Sequence, residues 1–143
     1  HLTNREEEIS ALDQWFDKIL ISLQLIDDWV DKYKDWEDGS LTPVLKEILK
    51  FNQVETLENL KRSDISRAAL FSDILDEIKD IVIENTTYLE ENNHWETENA
   101  FIFHDMIYQD ICRIESENIQ KKEKVLLGGF SNILEQSIAD ASN

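Results

Sequence analysis

The chain has 143 residues, with 31 acidic and 14 basic side chains, a formal net charge of −17, and only 3 Gly, 1 Pro and 1 Cys. A lone Cys112 excludes a disulfide framework within the chain, and so favours a reducing compartment. The acidity argues against direct binding to nucleic acid or to an anionic bilayer, because both need clustered Lys or Arg.

So little turn punctuation favours a few long helices, and no stretch alternates apolar and polar residues at period two. The expectation is an all-α chain: a single domain over residues 1–143, built as an elongated antiparallel bundle of three long helices, with short helices at 43–62 and 130–139. The chain starts at His1, so the expectation is also that it is a fragment of a larger protein.

The first long helix is predicted over 4–38. Ile9, Leu12, Phe16, Ile19, Leu23, Ile26, Val30 and Tyr33 recur at alternating steps of three and four, the a/d pattern of an amphipathic helix. Trp15, Trp29 and Trp36 flank that seam at seven-residue spacing, with Ser22 in the gap. A seam widened in this way suits a helix with two or more neighbours. Phe16, Leu23, Ile26 and Val30 are expected to be buried. Thr3 with Glu6, or Asn4 with Glu7, has capping-box spacing, and Gly39 suits a left-handed stop.

Thr42 and Pro43 read as an N-cap and first helical position. Short helices are expected over 43–51 and 54–62 with a break near Asn52, or else one helix over 43–62. Ser63 or Asp64 then caps a second long helix over 64–90. Asn85 falls where its apolar stripe expects a hydrophobic residue, as a register device or as an edge position. Asn85-Thr86-Thr87 also matches a glycosylation sequon, read here as chance.

Glu90 to Asn93 is the predicted turn, and a third long helix should run from His94 to Leu127. Its polar stretch from Glu115 to Lys124 is expected to project from the core. Gly128-Gly129 should end or kink it, leaving Phe130, Ile133, Leu134 and Ile138 on a last short helix.

Residues with catalytic chemistry do not assemble in this pattern. The histidines lie at 1, 94 and 104, which with one Cys makes no zinc set. Glu91 and His94 have di-iron spacing, but no second pair exists. Cys112 lies eight residues from His104, two helical turns, and reads as inert and buried. The expectation is therefore no enzyme, no catalytic residues, no cofactor and no metal.

What remains is an interaction module: a scaffold or adaptor segment of a larger intracellular assembly, cytoplasmic or nuclear, whose partner is another protein, basic or helical. An acidic inhibitor, immunity protein or chaperone of a basic partner is the alternative. A membrane-curvature dimer is the third reading, opposed by the charge. The expected partner-binding residues are Trp36 with Leu41 and Phe130 with Ile133, forming an apolar patch rimmed by carboxylates. A homodimer through the same patch is the competing outcome.

Overall fold

The first helix carries three parallel columns of side chains at seven-residue spacing, and the fold covers two of them. The structure is a computed structural model that describes the backbone of residues 2–91 and 98–141. Side chains of residues 1–4, 8, 89, 90, 92–101, 130–137 and 139–143 lie outside that description. The described residues form an all-α bundle without strands: α1 (Leu2–Val30), α2 (Lys32–Glu37), α3 (Pro43–Asn52), a 3-10 turn (Leu57–Asn59), α4 (Arg62–Phe71), α5 (Ile74–Glu91) and α6 (Glu98–Ala141).

On α1, Trp15, Ser22 and Trp29 are inward and retain only 9, 1 and 4% of their exposure. Ile19 and Ile26 of the neighbouring column are buried too. The outer column is open: Ile9, Phe16 and Val30 are 60, 50 and 54% exposed, with Leu23 half-buried. The expectation that Phe16 and Val30 are core is thus corrected, and the tryptophan row takes that place. The reason lies on α5. Asn85 is buried there, and its side-chain amide donates to Ser22 Oγ at 3.1 Å and to the Lys18 carbonyl at 3.4 Å. A buried amide needs such partners, so α1 presents its Ser22 side to α5.

Two cross-links set the direction of packing. Ser22 meets Asn85 and Gln14 meets Tyr88, whose hydroxyl donates to Gln14 Oε1 at 3.0 Å, so α1 and α5 are antiparallel. Further on, Lys79 Nζ reaches both Glu115 carboxylate oxygens at 2.6 Å, and the Asn118 amide donates to the Ala69 carbonyl at 3.0 Å. This order makes α6 antiparallel to the α4–α5 segment. The core is aliphatic around Leu45, Ile48, Ile65, Val82, Ile107 and Ile111.

Several boundaries differ from the sequence expectation. The 4–38 helix is interrupted at Asp31, although the Asp31 amide still donates to the Asp27 carbonyl at 2.8 Å and the Asp35 amide to the Asp31 carbonyl at 2.9 Å, and the short α2 that follows carries Tyr33 and Trp36. There the Tyr33 and Ser66 hydroxyls share a hydrogen bond at 2.8 Å, and the Trp36 indole donates to the Leu57 carbonyl at 3.2 Å. Gly39 adopts the left-handed φ of 73°, and Thr42 Oγ1 caps α3 by accepting from the Leu45 amide at 3.2 Å. Of the predicted 54–62 helix only one 3-10 turn forms, because Gln53 enters the left-handed region (φ 56°) and stops α3.

The predicted 64–90 helix is two helices. Ser72 is extended (φ −91°, ψ 171°), its hydroxyl donating to the Ala68 carbonyl and accepting from the Ile74 amide, so it closes α4 and opens α5. Gly128-Gly129 does not end the third long helix. Neither glycine takes a left-handed φ, and α6 runs through to Ala141 without a separate 130–139 helix. Cys112 is half-buried against the core rather than fully enclosed. The expected turn at 90–93 and the Glu91–His94 pair extend into residues outside the description.

The assignment of columns predicts contrasting costs. Ile19→Ala should destabilise by about 2–5 kcal/mol, against under about 1 kcal/mol for Phe16→Ala, in urea denaturation. Asn85→Ala should cost about 1–3 kcal/mol, since it leaves the Ser22 hydroxyl buried without its partner. Equal costs at positions 16 and 19 would contradict the assigned rotation of α1.

Candidate functional site

Two surfaces carry groups that the fold itself leaves unused. The first is the outer column of α1. Ile9, Phe16, Leu20 and Val30 are exposed, and Phe16 leans edge-on against the Trp15 ring at 5.2 Å between centroids. On a helical projection Leu20 falls beside Ile9 and Phe16. Asp13, Asp17 and Asp27 lie on the same outer side and are exposed. The result is a strip of large apolar side chains bordered by carboxylates along most of the helix. Monomers seldom expose such continuous apolar surface without a use.

The second is a cavity of about 610 Å³ where the α1–α2 junction, α4 and α6 converge. Its apolar wall comes from Trp29, Val30, Ala69, Leu70, Ile114 and Val125. Lys32, Lys121, Lys124 and Arg113 bring positive charge to it, with Glu117 the one carboxylate among its lining residues. Arg113 is neutralised by Asp110 at 3.5 Å and Glu117 at 3.1 Å. Among the described residues, none of the three lysine amines has a carboxylate within ion-pairing distance.

Lys32 is held in place by its own helix end. Its Nζ donates to the Trp29 carbonyl at 2.8 Å, capping the last turn of α1, and lies 4.5 Å from the Trp29 ring centroid and 5.3 Å from that of Tyr33. Arg62 covers Tyr33 from another side, with its guanidinium carbon 4.6 Å from the ring centroid. Burial of Lys32, reinforced by the charge of Lys121, pushes its pKa from the ordinary 10.5 down to about 8. Nearby, burial and then the charges of Asp28, Asp31 and Asp27 push the Asp35 carboxyl up. Asp28 is itself buried; it accepts from the Gln24 amide at 2.6 Å through one oxygen, while the other has no partner among the described residues.

Two of the four residues singled out from sequence, Trp36 and Leu41, lie among the described side chains. Trp36 is half-buried and tied to Leu57, whereas Leu41 stays exposed beyond the α2 stop. The side chains of Phe130 and Ile133 lie outside the described residues. Pattern reading missed the outer α1 column because its perfect a/d spacing looked like core. It missed the lysine cavity because Lys32 and Lys121 are remote in sequence. The one available signal was the clustering of Lys121, Lys122 and Lys124 in an acidic chain. Among the described residues, no group of three or more His, Cys, Asp or Glu could hold a metal ion, and no helix is long and apolar enough to cross a membrane.

Neither a family model, nor a curated protein, nor a solved structure matches this chain.

The Lys32 geometry sets a pH dependence. Its folded pKa is depressed, so the unfolded chain binds more protons between the two values, and stability rises with pH there. An NMR titration following Lys32 Cε should show a midpoint at about 8. Wild type should gain stability relative to Lys32→Met as pH climbs from about 8 toward 10.5. A midpoint at the ordinary lysine value would contradict the burial of this amine.

Proposed function

We propose that this domain is a non-enzymatic interaction module that docks an amphipathic helix of another protein along the outer face of α1. The observation that carries the reading is the open third column: Ile9, Phe16 and Val30 are exposed, with half-buried Leu23 completing the seven-residue spacing and Leu20 beside Ile9 and Phe16. Such a seam is shaped for the knobs of a second helix. A helix occupying it would add a fourth long element beside α1, α5 and α6.

Charge selects the kind of helix. Asp13, Asp17 and Asp27 border the strip, and the whole chain carries a net −17. A partner helix with an apolar stripe and Lys or Arg on its flanks complements both features. A second copy of this chain does not, because its own carboxylates would face these. The basic-partner alternative and the adaptor reading therefore converge on one occupant.

A photo-reactive amino acid placed at Leu20 tests this in the native host, with Glu58 as an exposed control position. The expected outcome is an adduct between position 20 and a basic helical segment of a different protein, lost when Phe16→Glu is added. Adducts only with a second copy of the chain would contradict the reading, as would adducts that survive Phe16→Glu. Circular dichroism should show that Phe16→Glu remains folded, since position 16 is half exposed.

A further inference from the structure

The lysine cavity is the second feature that the fold does not consume. In a chain with more than two acids for every base, three lysines line one apolar-walled recess, and none of their amines is paired with a carboxylate among the described residues. Like charges gathered without a counter-ion raise the free energy of the empty site, and an anion entering it relieves that cost. The recess is also the right size: about 610 Å³ lies within the range of small-molecule sites and is too small for a macromolecular surface.

We propose that this cavity binds a small amphipathic carboxylate. Its head meets the ammonium groups of Lys32 and Lys121, and its hydrocarbon body lies against Leu70, Ile114 and Val125. Lys32 is the anchoring cation. Its Nζ lies 4.5 Å from the Trp29 ring centroid, and its bond to the Trp29 carbonyl engages one of its three donor protons. Two donors thus remain for an anion. Lys121 and Lys124 come from the exposed stretch of α6, one turn apart, and bring charge from the opposite wall. The apolar wall excludes a purely ionic reading: Ile114 is buried, whereas Val125 is half exposed and Leu70 partly so. A hydrocarbon chain placed there would remove that surface from water.

Binding should also act back on Lys32. A carboxylate beside it opposes both influences that depress its pKa, so the amine takes up its proton more readily with ligand present. A site where Lys32 served only to cap α1 would show no such response.

The test is a titration of the folded chain with three probes, octanoate, octanamide and acetate, followed by two-dimensional NMR and calorimetry. Octanoate should give saturable shifts at the Trp29 indole, the Ser66 amide and the Asn118 side-chain amide, and should raise the Lys32 midpoint. Octanamide lacks the charge and acetate lacks the chain, so each should bind at least about tenfold more weakly. Lys121→Glu, on an exposed turn, should weaken octanoate by about tenfold or more without altering the fold, and Lys32→Met should do the same. Equal binding of octanamide would overturn the role of the amines. Equal binding of acetate would overturn the role of the apolar wall. Shifts confined to the outer α1 column, an unchanged Lys32 midpoint, or no saturable shifts at all would overturn the site.

Discussion

The buried hydrogen bond between Ser22 and Asn85 decides which way α1 faces, and the rest of the molecule follows from that rotation. Asn85 takes the Ser22 hydroxyl at 3.1 Å in the middle of an otherwise aliphatic contact between α1 and α5. A turn of α1 by one column would bring Phe16 and Val30 inward, and their burial would be favourable by about 1.5–3 kcal/mol each. The same turn would expose Trp15 and Trp29, which bury more surface, and leave the Asn85 amide and Ser22 hydroxyl without partners at about 1–3 kcal/mol each. The observed rotation buries the larger surface and keeps the Asn85–Ser22 bond, while the Trp15 indole N–H is buried without a partner among the described residues. Its consequence is an apolar column that the described residues leave open.

Charge is distributed to match. Carboxylates dominate the outer side of α1, where they leave the apolar strip available to a basic helix and discourage a second copy. Several of the cations have fixed partners. Lys79 is consumed by Glu115 between α5 and α6, and that hydrogen-bonded contact raises its pKa. Arg62 closes over Tyr33 and pairs with Glu37 at 3.3 Å. Lys32, Lys121 and Lys124 line the cavity beside the α1–α2 break.

Periodicity made the fold class legible, along with the long helices at either end and the stop at Gly39. Thr42-Pro43 marked the start of α3 because a cap and a fixed φ act locally. Rotation about the helix axis was not legible. Three overlapping columns on α1 are all apolar enough for a core, and the choice rests on Asn85, 63 residues away in sequence from Ser22. Ser72 was hidden for a related reason: inside an apolar stripe it resembles a tolerated polar position, and only its two backbone bonds show it ending one helix and starting another. Gly128-Gly129 misled in the opposite direction. A glycine pair weakens a helix by about 1 kcal/mol per residue relative to alanine, but it stops one only when the next residues offer a left-handed turn and a cap. Beyond the cluster of Lys121, Lys122 and Lys124, the cavity could not be read from sequence, since its amines come from α6 and the α1–α2 junction.

Solvent accessibility of the α1 columns is the most direct measurement of this account. A soluble gadolinium chelate added to methyl-labelled protein broadens signals according to their distance from solvent. The Leu20 and Val30 methyls should broaden strongly while those of Ile19 and Ile26 stay sharp. Sharp Leu20 and Val30 signals beside broadened Ile19 and Ile26 would mean that α1 is rotated the other way, and that the open face, with the partner it implies, does not exist.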